Sequence, residues 1–175
     1  MTISLESSKE ADFPAIVALM NVAFRRTHGD RSWSTEAQYI TGTRISESLL
    51  REEIEGGAQF LVVKDDETSA LKGCVSLKAA SPEKWYLGSL TVDPALQNSG
   101  FGRQLLAASE DYAAQRGART IEMTVVHLRT ALISWYERRG YTLTGETRPF
   151  PYGDDRNGTP TRDDLKFVVL QKHLR

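Results

Sequence analysis

A strand that runs into a glycine-opened helix and then into a second strand constrains this chain more than any other feature. Trp85 to Val92 reads as a strand, Asp93-Pro94 turns the chain, and Ser99 to Arg116 reads as a helix stopped by Gly117. Arg119 to Val126 follows as a strand, with Ile121, Met123 and Val125 on one face. Two strands joined through a helix lie parallel, so the sheet contains a parallel step.

The flanking segments read differently. Ile3 to Leu5 is a short first strand. Asp12 opens a helix whose apolar positions Phe13, Ile16, Val17, Met20 and Phe24 recur at helical spacing. Arg44 to Glu55 is a second helix, ended by Gly56-Gly57. Gln59 to Lys64 and Lys72 to Ala79 form a hairpin around Asp65-Asp66-Glu67. After the central unit come a helix from Thr130 to Arg139 and strands at Tyr141 to Glu146 and Leu165 to Lys172. An irregular loop from Arg148 to Asp155 lies between those last two strands. These elements predict an α/β fold with a mixed, largely antiparallel sheet flanked by helices. The length of 175 residues predicts a single domain over 1–175.

Composition narrows the function. A formal net charge of −1 makes no case for a nucleic-acid backbone or an anionic membrane as partner. No apolar run reaches the length of a spanning helix, and Met1 to Glu6 lacks the basic-then-apolar pattern of a secretory signal. The single cysteine, Cys74, cannot form an internal disulfide. These points predict a cytoplasmic protein.

The segment Gln97-Asn98-Ser99-Gly100-Phe101-Gly102-Arg103 carries the strongest chemical signal. Glycines at 100 and 102 let an anion approach the backbone, and the first N–H groups of the helix face it. Arg103 adds a charge-assisted contact. The physical expectation is a pyrophosphate seat; the alternative is a tight strand-to-helix turn whose glycines only relieve crowding. A Rossmann loop needs a third glycine, and a phosphate P-loop needs Gly-Lys-Ser/Thr, so neither fits.

Two motifs on successive elements resemble those of the GNAT acetyltransferase superfamily. The first runs Leu90-Thr91-Val92-Asp93-Pro94-x-x-Gln97-x-x-Gly100-x-Gly102-Arg103. The second is Trp135-Tyr136-Glu137-Arg138-Arg139-Gly140-Tyr141. The resemblance covers about Asp12 to Leu174. It implies an acyl-CoA N-acyltransferase fold with splayed central strands, and acetyl-CoA as co-substrate with no metal. Leu90, Thr91 and Val92 would pair with the pantetheine arm, and Gln97, Asn98, Ser99, Gly100, Phe101, Gly102 and Arg103 would hold the phosphates. Tyr136 would protonate the leaving thiolate; the alternative is a packed core tyrosine. Arg129 stands where the family often has an asparagine on the cofactor. Thr124 stands where some members carry a glutamate base, which leaves Glu122, two residues earlier, as a base working through water or as an ordinary paired glutamate. His127, Asp163 and Asp164 are further base candidates.

The resemblance places the acceptor between the first two helices and the loop before the last strand. Trp33, Tyr39, Arg44 and Tyr152 are the expected substrate contacts there. Their mixture suits a small polar amine, attacked directly in a ternary complex. A protein or peptide N-acetyltransferase and a non-catalytic acyl-CoA sensor are the alternatives. Superfamily members often dimerise, so a homodimer is compatible with this reading.

Overall fold

A computed structural model describes residues 3–25 and 36–175. The short strand β1 (Glu6–Ser7) begins just after the stretch expected for it, and helix α1 (Phe13–Arg25) follows a single 3-10 turn. Pro14 suits the first turn of α1, where its missing N–H costs nothing. The buried face of α1 is Phe13, Ile16, Met20 and Ala23, the helical spacing read from the sequence. Strand β2 (Ile40–Thr41) precedes α2 (Glu47–Glu55). Helix α2 starts three residues later than expected because Ser46 caps it, accepting from Leu49 N at 3.2 Å.

The hairpin is β3 (Gln59–Lys64) and β4 (Leu71–Ala79), followed by β5 (Lys84–Val92). Helix α3 (Phe101–Ala114) leads to β6 (Thr120–Val126) and α4 (Thr130–Glu137). The chain closes with β7 (Thr142–Pro149), β8 (Thr159–Pro160) and β9 (Lys166–His173). Strand β7 therefore extends through Arg148 and Pro149, which sequence reading had assigned to the loop.

Seven strands form one sheet in the order β1-β3-β4-β5-β6-β9-β7. Every neighbouring pair is antiparallel except β5 and β6, the parallel step that the central helix requires. Buried residues of α3 and α4 pack with Leu61, Val75, Leu87, Ile121 and Met123 on one face. Those of α1 and α2 pack with Phe60, Val62 and Cys74 on the other. Alternation along β3 thus feeds both cores. Leu105 and Leu106 are completely or almost completely buried, and each such side chain contributes about 1.5–3 kcal/mol.

A second, two-stranded sheet pairs β2 with β8. It ties the chain before α2 to the loop before β9, a link that local patterning did not predict.

Candidate active site

The parallel ladder between β5 and β6 is short. It pairs Lys84 with Thr120, Trp85 with Ile121 and Tyr86 with Glu122, and then the strands diverge. Divergence follows from the other edge of β5. Between Cys74 and Ser76 on β4 the register slips, so that Gly88 and Thr91 on β5 oppose residues only two apart. The extra residue makes a bulge, with Ser89 at φ 52°.

The divergence opens a cleft of about 610 Å³. Gly88, Ser89 and Leu90 form one wall and Met123 to Val126 the other. Arg129, Leu132 and Tyr136 from α4 line it, as do Arg44, Leu49, Glu52 and Glu53 from and near α2. The segment from Phe150 to Gly158 contributes Phe150, Pro151, Asp154, Arg156, Asn157 and Gly158.

That segment is strapped across the cleft. Asn157 Nδ2 donates to Arg44 O at 2.8 Å, and Arg25 Nη2 donates to Asn157 O. Arg156 Nη1 reaches Glu52 Oε2 at 3.1 Å. Gly158 sits at φ +113°, and a Cβ there would meet Ile40 Cγ2 at 2.7 Å and Thr41 O at 2.8 Å. Only glycine lets the strap approach β2 so closely.

Tyr136 is buried, edge-on to Trp135 at 5.1 Å and to Tyr141 at 5.6 Å between ring centroids. Burial pushes its phenol well above the ordinary value of 10.0, and the nearby Arg129 charge opposes that rise. The phenol is therefore protonated at neutral pH. Arg129 is itself buried at the start of α4; burial lowers its guanidinium and the Glu36 charge offsets this in part. Tyr86 OH lies 2.6 Å from Thr124 Oγ1 across the mouth of the splay.

At the start of α3, Gly100 occupies the N-cap with φ 83°, and Asn98 just before it has φ 65°. These left-handed residues set the start of α3, whose first N–H groups have no intrahelical acceptor. Ser99 Oγ accepts from Phe101 N at 3.4 Å. Phe101 itself is buried in the core, so only its backbone is available to a ligand. The helix starts at Phe101, two residues after the expected Ser99, because the turn consumes Ser99 and Gly100.

The remaining expected residues divide. Leu90, Arg44, Arg129 and Tyr136 meet at the cleft. Gln97 to Arg103 lie at the α3 terminus and not in the cleft walls. Thr91 and Val92 have buried side chains; the Thr91 hydroxyl donates to Ser89 O at 2.7 Å, so only their backbone faces are available. Tyr39 packs beside Ile40, Val126 and Leu165 rather than in the cleft. Tyr152 is 44% exposed; its hydroxyl donates to Arg162 O at 2.7 Å and accepts from Leu165 N at 2.9 Å, so it shapes the loop. Trp33 lies outside the described residues.

Glu122 is not brought to the cleft. Its carboxylate accepts from Arg148 Nη2 at 2.7 Å and Gln171 Nε2 at 3.2 Å, and pairs with Lys84 Nζ at 2.9 Å. Burial alone would raise its pKa, yet these donors outweigh burial and hold it below the ordinary value. A carboxylate so held is a poor proton acceptor. Asp164 is likewise paired with Arg162 at 2.7 Å, and His127 Nδ1 lies 3.3 Å from Lys166 O.

Sequence reading missed Glu53. It sits on the cleft face of α2, and burial raises its carboxyl above the ordinary value despite the opposing charges of Arg44 and Lys78. Its neighbours Glu52 and Glu55 are the same residue type on a charged helix, so no local signal separated it.

The profile of the Acetyltransferase (GNAT) family matches residues 15–141. An uncharacterized N-acetyltransferase of Bacillus subtilis, YhfO, is 26% identical over 144 residues, covering 79% of this chain and 89% of that protein. The mycothiol acetyltransferase of Rhodococcus erythropolis is 30% identical over 135 residues, 74% of this chain but 43% of that protein. Among solved structures, a GNAT family acetyltransferase from Elizabethkingia anophelis with acetyl-CoA bound superposes with a TM-score of 0.69 at 16% identity, over 99% of both chains. The ribosomal-protein-S18-alanine N-acetyltransferase of Escherichia coli gives 0.67 at 18% identity, over 97% of this chain and 92% of that one.

Proposed function

The chain belongs to the Acetyltransferase (GNAT) family of acyltransferases, and on that premise we propose that residues 1–175 form one cytoplasmic catalytic domain that moves an acetyl group from acetyl-CoA to the primary amine of a small polar molecule. The observation that carries the reading is the splay of β5 from β6, with Tyr136 and Leu90 both lining the gap.

The residues fit acetyl-CoA. Past the bulge at Ser89, β5 no longer pairs with β6, so its backbone is open to an extended pantetheine arm. The α3 terminus supplies N–H groups for the phosphates, and Arg103 stands one residue past Gly102. Acetyl-CoA supplies an activated thioester.

The protein's own groups then do three things. A backbone N–H of the Ser89–Leu90 bulge stabilises negative charge on the carbonyl oxygen. Glu53, directly or through water, takes the proton that the amine must lose as its nitrogen bonds to the carbonyl carbon. Tyr136 donates to the sulfur as the carbon–sulfur bond breaks. Phenol-to-thiolate donation is uphill in water, where a thiol titrates near 8.5. Burial raises both partners, pushing the Cys74 thiol of this same protein up to about 12 and the Tyr136 phenol well above its ordinary value. Burial by itself therefore does not close the gap, and the charge beside the phenol decides. A leaving thiolate in the cleft is raised for the same reason, and the Arg129 charge eases proton loss from Tyr136.

The strap from Phe150 to Gly158, tied to Arg44 and Glu52 at the cleft, supports a small acceptor over a peptide. The test is acetyl-CoA consumption with a panel of small amines and peptides, with products identified by mass spectrometry. Acetylation of small amines supports the reading. Acetylation confined to peptides transfers it to the peptide class, and cofactor binding without turnover of any amine turns it into an acyl-CoA sensor.

A further inference from the structure

The acceptor end of the cleft holds opposite charges that do not meet. Three guanidinium groups surround one carboxylate: Glu36 lies 2.7 Å from Arg25, 3.9 Å from Arg44 and 4.0 Å from Arg129. Arg25 is committed to this cluster and the strap, through Glu36 and Asn157 O. Arg44 is not. Its guanidinium stacks over Phe24 at 5.1 Å and donates to Ser89 Oγ at 3.3 Å. Its contact to Glu36 is an ion pair too long for a hydrogen bond. Five donors are available on that group, and one is used among the described residues. Its backbone is fixed at both ends, with N donating to Asn21 Oδ1 at 2.6 Å and O accepting from Asn157.

Glu53 stands in the same cleft, close enough to feel the charges of Arg44 and Lys78. No ion pair joins Glu53 to any cation among the described residues. Opposite charges sharing a half-buried cavity would gain by closing on one another. Here the Arg44 guanidinium is held over Phe24 and on Ser89 Oγ while α2 carries Glu53, and the two form no ion pair.

We propose that the acceptor is a zwitterion, a short amine that also carries a carboxylate, with its ammonium end toward Glu53 and its carboxylate on the Arg44 fork. This inference rests on the acetyltransferase reading and deepens it. A planar guanidinium matches a carboxylate with two parallel hydrogen bonds, and an ammonium beside Glu53 is already where its proton must go. The Arg25–Glu36 pair behind Arg44 leaves excess positive charge at the carboxylate end.

The experiment compares short amino acids with their carboxamides and with the matching simple amines, all with acetyl-CoA. The expected result is kcat/KM for the carboxylate form roughly tenfold to a hundredfold above the carboxamide, carried mainly by KM. Arg44→Gln collapses that ratio toward one, and Arg44→Lys restores part of it, since charge remains but the fork is lost. Thermal melting of both variants separates a specificity change from unfolding. A carboxamide used as well as its acid, or an Arg44→Gln variant that keeps the ratio, overturns the inference while leaving the acetyltransferase reading intact. Failure to turn over any amine, with no binding of the amino acids to the acetyl-CoA-loaded protein by calorimetry, overturns both.

Discussion

Glu122 and Glu53 are both glutamates against the face of the sheet that carries α1 and α2, yet their surroundings drive them in opposite directions. Glu122 has little exposure, but Lys84, Arg148 and Gln171 all donate to it, and compensation wins over desolvation. Glu53 has no such donor among the described residues, and desolvation wins. Burial alone therefore does not make a proton acceptor. What matters is whether the surrounding donors have already claimed the charge.

The largest expected effect lies on the leaving-group side of the cleft, which neither carboxylate serves. Tyr136→Phe should lower kcat by roughly a hundredfold to a thousandfold, with the acetyl-CoA Kd from calorimetry nearly unchanged. Unchanged turnover would remove Tyr136 from the chemistry.

Next in size is Glu53→Gln, expected to lower kcat/KM by about tenfold to a hundredfold, whereas Glu122→Gln should leave it within about twofold. The reverse ranking would return the base to Glu122. The pH profile gives the sign independently. Glu53 acts only when deprotonated, so kcat/KM should rise with pH through a midpoint above the ordinary carboxylate value, and Glu53→Gln should flatten that limb.

Stability should separate them in the opposite sense. The folded pKa of Glu122 is depressed, so its contribution is full above the unfolded value near 4.5 and is lost as pH falls through the folded one. Glu122→Gln should therefore cost about 1–2 kcal/mol at neutral pH in urea titrations, and less in acid. The folded pKa of Glu53 is raised, so its ionised form opposes folding at neutral pH, and Glu53→Gln should leave the melting temperature unchanged or higher.

The smallest catalytic effect is expected at the strap. Gly158→Ala places a Cβ against Thr41 O at 2.8 Å and should cost about 1–3 kcal/mol, with KM for the amine rising more than KM for acetyl-CoA. Equal changes in both KM values would disconnect the strap from the acceptor.

Much of this protein is written locally in the chain. Helical spacing in α1, the Gly56-Gly57 and Gly117 stops, and the alternation of Ile121, Met123 and Val125 depend on neighbours a few residues away. The turn from Gln97 to Arg103 is equally local, because left-handed backbone at Asn98 and Gly100 is a property of those residue types. Tyr136 is singled out by its motif, and in the structure it is a buried residue in the lining of the cleft.

Tertiary structure decided what long-range pairing controls. Glu122 lost its place at the cleft because β9 brings Gln171 opposite it and β7 brings Arg148 within reach. Glu53 gained one because α2 sets it in the lining of the same cleft as Arg44, Ser89 and Leu90. The β2–β8 pairing joins Thr41 to Thr159, far apart along the chain. A residue's type and spacing set its intrinsic chemistry. Its charge state and its company depend on donors that only folding assembles.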